Sequence, residues 1–260
     1  MFQDDGWEVD ARIGILTPAS DVGSESEMRA VAPSNIGVHV ARVPTNAALL
    51  SEGRPASAAR EGATLDDLAT LHMSAAHMAA APIAAIGVCS TGFSYRIGRF
   101  DESRVLAGIS ERTRGLPVAT SSAAMVQALT SFEARDIAIV NPPWFSREMM
   151  ERGAEYFNVA GFGIKFNAVA DVAGNQHLVT QADLFRWIIS NVPAGIDAIL
   201  IAGNDLRAVG VVRDLEAETA RPVFTANQAL LWALMSLAGV DPRRVQGYGA
   251  VFRLRYPAAE

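Results

Sequence analysis

Short apolar runs, each closed by a proline, a glycine or small polar residues, alternate along the chain with longer stretches of helical spacing. Residues 11–17 (ARIGILT), 35–44 (NIGVHVARVP), 83–88, 116–120, 136–140, 163–172, 196–201 and 222–225 read as strands. Most are apolar throughout rather than alternating, which is the signature of strands buried on both faces of a parallel sheet. Between them, residues 64–81, 102–114, 121–131, 147–159, 180–191, 214–219 and 227–238 read as helices, and the polar stretch 21–27 leads into another. Leu65, Leu68 and Leu71 fall on one face of the first of these, with Thr64 available as its cap. Strand–helix alternation over the whole length predicts an α/β protein with parallel sheets and right-handed crossovers.

The pattern repeats. Leu116-Pro-Val-Ala-Thr120, two small polar residues and an alanine-rich helix match Arg221-Pro-Val-Phe-Thr225, its own polar pair and a helix rich in alanine and leucine. The segment from Asp10 resembles that from Ala134, and the segment from Ala81 resembles that from Gly195. Two similar Rossmann-like (flavodoxin-like) halves are therefore expected, with a ligand cleft between their strand ends. We place residues 1–116 together with 227–260 in the first half and 117–226 in the second. The strand end bearing Cys89 corresponds, within one residue, to the one bearing Gly203.

The chain has 260 residues, half of them hydrophobic and 19% charged, so a large core is available. A net charge of −6 with no basic block argues against nucleic acid or an anionic membrane as partner. No apolar run reaches bilayer length, and the acidic start is unlike a signal peptide. With one cysteine there is no internal disulfide, which suits a reducing cytoplasm. The four histidines form no metal-ligand pattern, and the dinucleotide spacing G-x-G-x-x-G is absent. No metal or cofactor site is expected, and a homo-oligomer is left open.

Candidate chemistry gathers at residues 89–94. Cys89 falls where a buried strand stops, which is where open α/β sheets bind ligands. Ser90, Thr91, Gly92 and Ser94 come next, with hydroxyls and accessible amides suited to an anion. A lone cysteine is as readily a buried small hydrophobe; its place beside hydroxyls and a glycine points to a reactive thiol.

Taken in order, ARIGILTP, CSTGFSYRIG, LPVATSSAAMVQAL, the Gly174-Asn175 turn, AILIAGNDLRA, RPVFTANQALLWAL and QGYGAVF resemble the aspartate/glutamate racemase superfamily. Within it the likeness is to the maleate isomerase and arylmalonate decarboxylase branch. The resemblance implies a cofactor-independent enzyme acting on a small carboxylic acid, with one cysteine from each half facing the substrate's α-carbon. Here the first is Cys89, but Gly203 stands at the second position. The arrangement is the reverse of the one that arylmalonate decarboxylases show. Asp21 stands where the family offers an asparagine to a substrate carboxylate, and Asn141-Pro-Pro143 where a tyrosine is common. An ionised Asp21 facing the ligand would repel a carboxylate, so it carries a proton, turns away, or meets another kind of ligand. Substrate contacts are expected from Asp21, Ser90, Thr91, Asn175, Gly203, Asn204 and Pro143. Three functions fit these residues. Decarboxylation of a malonate-type acid needs a single proton donor, Cys89. Maleate-type cis–trans isomerisation, or a racemase-like reaction, would use Cys89 as nucleophile. A binding protein that kept the fold and lost the chemistry is the third. If the two walls are equivalent, moving the thiol from position 89 to 203 should invert the product's hand.

Overall fold

The computed structural model describes residues 6–44, 68–173 and 178–257. Among these residues, eight strands form two four-stranded sheets in which every pairing is parallel. The first holds β1 (Ala11–Pro18), β2 (Ile36–Val43), β3 (Ala85–Val88) and β4 (Val118–Thr120) in the order β2-β1-β3-β4. The second holds β5 (Asp136–Asn141), β6 (Gly163–Val169), β7 (Ala198–Ile201) and β8 (Val223–Thr225) in the order β6-β5-β7-β8. The same order in both sheets shows that the repeat in the sequence is a repeat of structure. β3 and β7 are buried at every residue, as their unbroken apolar sequences require.

The helices are α1 (Gly23–Val31), α2 (Leu68–Met78), α3 (Thr91–Arg112), α4 (Ser121–Ser131), α5 (Arg147–Val159), α6 (Gln181–Asn191), α7 (Val212–Thr219) and α8 (Ala226–Leu237). The paired Pro-Val-x-Thr segments have a common cause. Thr120 caps α4 by accepting from the Ala123 amide at 3.0 Å, and Thr225 caps α8 by accepting from the Gln228 amide at 3.2 Å. Gln228 accepts in return from the Thr225 amide at 3.1 Å, which completes a capping box. α3 corrects the expectation of a helix starting at residue 102. It starts at Thr91, with Ser90 as N-cap, and is broken at Gly98, where φ is +73°. The polar segment after Cys89 is thus a helix N-terminus rather than a loop. Thr64 lies outside the described residues.

One apolar cluster joins Ile13 and Ile15 of β1 to Ile137 and Ile139 of β5, with Met125 and Leu129 of α4 and Leu230 and Trp232 of α8. α2 and α3 cover Leu16, Ile86 and Val88 of the first sheet, and α6 and α7 cover Val140, Ile199 and Ile201 of the second. α8 reaches β3 because residue 87 has no side chain: a Cβ there would lie 2.8 Å from Leu234 and 3.0 Å from Leu230. The helix near the C-terminus therefore packs on the strand that leads to Cys89. The expected division between residues 116 and 117 falls too early. β4 pairs with β3, Val88 opposite Thr120, and so belongs to the first sheet.

Candidate active site

Cys89 comes directly after β3. Its amide donates to the Leu16 carbonyl at 2.8 Å, and the Ala202 amide donates in the same way to Val140 at 2.9 Å. Cys89 and Gly203 thus stand at matching strand ends, one residue out of step. Those ends are joined. The Gly203 amide donates to Thr91 Oγ1, and the Thr91 amide donates to Asn204 Oδ1, each at 3.1 Å.

The thiol is fully buried. Burial chiefly, and the Asp21 charge next, push its pKa well above the ordinary thiol value, while a hydrogen bond from Ser24 works against them. Asp21 is itself buried, with both oxygens engaged locally. Oδ1 accepts from the Ser24 amide at 3.0 Å, and Oδ2 accepts from Thr17 Oγ1 at 2.8 Å and from Ser24 Oγ at 2.5 Å. Of the three readings open in the sequence, this geometry matches a carboxyl turned onto its own loop.

Several expected ligand contacts are spent within the protein. Ser90 Oγ accepts from the Phe93 amide at 3.1 Å, capping α3. The Gly203 amide is taken by Thr91 Oγ1. Asn204 Nδ2 donates to Ser121 Oγ and to Asn227 Oδ1, both at 2.7 Å. Thr91 and Asn204 therefore fasten the two walls together. Asn175 lies outside the described residues. Pro143 is half-buried, and it is its neighbour Pro142 that meets Gly203. A Cβ on Gly203 would stand 2.7 Å from Pro142 Cγ, and the residue's φ is +88°. Glycine is required there by backbone and neighbour together.

Sequence reasoning missed a buried chain behind this rim. Asn227 Nδ2 donates to Glu27 Oε2 and to the Asn204 carbonyl, both at 2.8 Å. Glu27 Oε1 accepts from the amides of Ala208 at 2.7 Å and Val209 at 3.0 Å. Asp205 Oδ1 accepts from the Val22 and Gly23 amides at 3.1 and 2.9 Å, so the second half also holds the start of α1. One signal was available: Asn227 belongs to the polar pair after the second Pro-Val-x-Thr.

Burial pushes the Glu27 carboxyl up to about 7, against the hydrogen bonds from Asn227 and the two amides. For a carboxyl raised in the folded state, the native protein holds the proton that the unfolded chain releases. Its favourable contribution is therefore complete below the unfolded value near 4.5 and is lost as pH rises through about 7. Urea unfolding from pH 4.5 to 8 should show stability falling by roughly 3 kcal/mol from this group. Glu27→Gln should flatten that fall; an unchanged slope in the variant assigns the pH dependence elsewhere.

No helix among the described residues is long and apolar enough to cross a membrane, and no group of three or more His, Cys, Asp or Glu side chains there is placed to hold a metal. A family model described as arylmalonate decarboxylase matches residues 60–252. The maleate isomerase of Pseudomonas putida is 24% identical over 255 residues, covering 94% of this chain and 98% of that protein. Among solved structures, a Nocardia farcinica maleate cis-trans isomerase variant with a covalently bound succinylcysteine intermediate superposes with a TM-score of 0.79. It is 22% identical, over 94% of this chain and 98% of that one. An arylmalonate decarboxylase crystal structure gives 0.76 at 17% identity, over 93% and 99% of the two chains. Two parallel sheets in matching order, a buried cysteine at the end of β3 and a family model spanning most of the length agree: the chain belongs to the arylmalonate decarboxylase family, in the branch of the aspartate/glutamate racemase superfamily shared with maleate isomerases.

Proposed function

We propose that this protein is a cofactor-independent decarboxylase of a malonate-type acid, and that Cys89 protonates the enediolate left when CO2 departs. The observation that carries this reading is the place of the thiol: Cys89 is buried directly after β3, and the matching strand end carries Gly203 in place of a second thiol. Burial and the Asp21 charge push the thiol up, which suits an acid better than a thiolate nucleophile. Gly203 stands at the strand end matching that of Cys89 and has no ionisable group, so in this reading the proton comes from one donor and reaches one face. The electron pair of the breaking C–C bond moves into the enediolate, and the S–H bond supplies the proton to carbon. The Thr91 hydroxyl, which accepts from the Gly203 amide, supports the developing oxyanion in this reading. Asp21, turned onto Thr17 and Ser24, leaves the pocket without the asparagine that the family resemblance implies.

The test is incubation with phenylmalonate in deuterated water. The expected products are CO2 and a monoacid deuterated at carbon with a single hand. Loss of CO2 with racemic deuteration would remove the one-donor account.

A second reading rests on the full-length likeness to a maleate isomerase. There Cys89 would add to the double bond of maleate as a thiolate. Intact mass after incubation with maleate separates the two: an adduct at Cys89 together with fumarate release favours isomerisation. Neither product nor adduct with either acid would leave the fold as a binder.

A further inference from the structure

The hydrogen bonds behind the rim run in one direction only. Glu27 of α1, Asn227 of α8, Asn204 after β7 and Thr91 of α3 are each more than nine-tenths buried, so a lost partner leaves a polar atom orphaned. The order of donors and acceptors starts at Glu27. Its Oε1 accepts from the Ala208 and Val209 amides at 2.7 and 3.0 Å. Above pH of about 7 Glu27 is ionised, and a carboxylate only accepts. Asn227 can therefore meet Oε2 only with Nδ2, as it does at 2.8 Å. That turns Asn227 Oδ1 towards Asn204, which answers with Nδ2 at 2.7 Å. The other Asn227 Nδ2 proton goes to the Asn204 carbonyl at 2.8 Å and locks the pair. Asn204 Oδ1 is left for Thr91, whose amide donates to it at 3.1 Å. Thr91 stands in the first turn of α3, and its hydroxyl holds the Gly203 amide at 3.1 Å. Reversing either carboxamide would set donor against donor.

We propose that Glu27 is a positioning residue for the site: it sets the polarity of the Asn227–Asn204 chain and thereby holds Thr91 where its hydroxyl serves the reaction. The link to the reaction rests on the reading of Thr91 as support for the developing oxyanion. Glu27 touches no substrate and passes no proton; it acts through two carboxamides. A carboxylate is needed because glutamine, of the same size, offers the wrong atom. In Glu27→Gln the new Oε1 keeps the two amides, and the new Nε2 faces Asn227 Nδ2, donor against donor. Volume is unchanged, so a role in packing alone predicts no effect at Thr91.

The experiment uses the full chain at pH 8, above the value of about 7 for Glu27. In Glu27→Gln, hydrogen exchange of the Thr91 amide should quicken by roughly tenfold, the worth of one hydrogen bond. The Ile199 amide, which donates to the Pro222 carbonyl within the second sheet, reports global opening and should change less. On phenylmalonate kcat should fall roughly 100-fold, the cost of a small misplacement, while KM moves by less than about threefold. Asn227→Asp alone sets two carboxylates against each other. Joined to Glu27→Gln, it restores an acceptor opposite the new Nε2 and opposite Asn204 Nδ2, and only the donor to the Asn204 carbonyl is missing. The double variant should exceed both single variants about tenfold in kcat, a coupling of the size found between buried neighbours. Thr91 exchange that merely follows Ile199 in Glu27→Gln, or a double variant no better than the worse single one, overturns the proposal. So does a wild-type kcat beside quickened Thr91 exchange, which detaches the chain from the reaction. If Glu27→Gln does not fold, a folded double variant upholds the proposal and an unfolded one overturns it. If the unaltered protein ignores phenylmalonate, the substrate class fails and the exchange comparison still judges the chain.

Discussion

Cys89→Ala should lower turnover roughly 10²–10⁴-fold, the usual worth of a positioned acid or base. The side chain is fully buried, so losing one sulfur should cost about 1 kcal/mol and move the melting temperature by only a few degrees. Cys89→Ser keeps the shape but replaces the thiol with a much weaker acid, and its rate should fall nearly as far. The measurement is kcat on phenylmalonate beside a thermal melt of each variant. An alanine variant holding more than about a tenth of the rate would take the thiol out of the mechanism. A variant that is inactive and also poorly folded would leave the serine form to decide.

Gly203→Cys should damage the fold instead of adding a second acid. From the sequence alone, moving the thiol between the two walls looked like a way to invert the product. The structure sets a stability cost against that exchange. At φ +88° any side chain is strained, which costs of order 1–3 kcal/mol. A Cβ 2.7 Å from Pro142 Cγ adds an overpacking cost of similar size. Gly203→Ala alone should therefore lower stability by about 3 kcal/mol and the melting temperature by about 10 °C. Pro142→Ala should recover part of this, because it removes the clash and leaves the backbone strain. Calorimetry on the single and double variants reads the difference directly. A stable Gly203→Ala protein would mean that the β7 strand end relaxes, and the exchange of walls would be open again.

Much of the fold was legible because both sheets are parallel and covered on each side. Strands such as β3 and β7 then carry runs of Ala, Ile, Leu and Val that no surface element would tolerate. The repeat was legible because two threonines cap equivalent helices. The start of α3 was not, since Ser90, Gly92 and Ser94 have loop composition and Gly98 interrupts the helical period. Cys89 could be found from its strand and its uniqueness. The direction taken by Asp21 could not, because Thr17 and Ser24 decide it through hydrogen bonds between side chains. Gly203 was read as a missing thiol, when its φ and the ring of Pro142 are what demand glycine. Glu27 lies 200 residues from its partner Asn227, a distance over which a single sequence carries no pairing signal.

The seat of α8 on Gly87 has a consequence for the order in which the protein can be made. Leu230 and Leu234 fill the face of β3 beside the residue that leads to Cys89, and they leave the ribosome about 140 residues after that strand. Until they emerge, a nascent first sheet shows water an apolar groove. Contacts of such long sequence separation form late, so the half that carries the thiol should mature after the half translated second. Ribosome-arrested chains ending near residue 225 should bind chaperone and yield to protease within residues 85–120, while full-length chains resist.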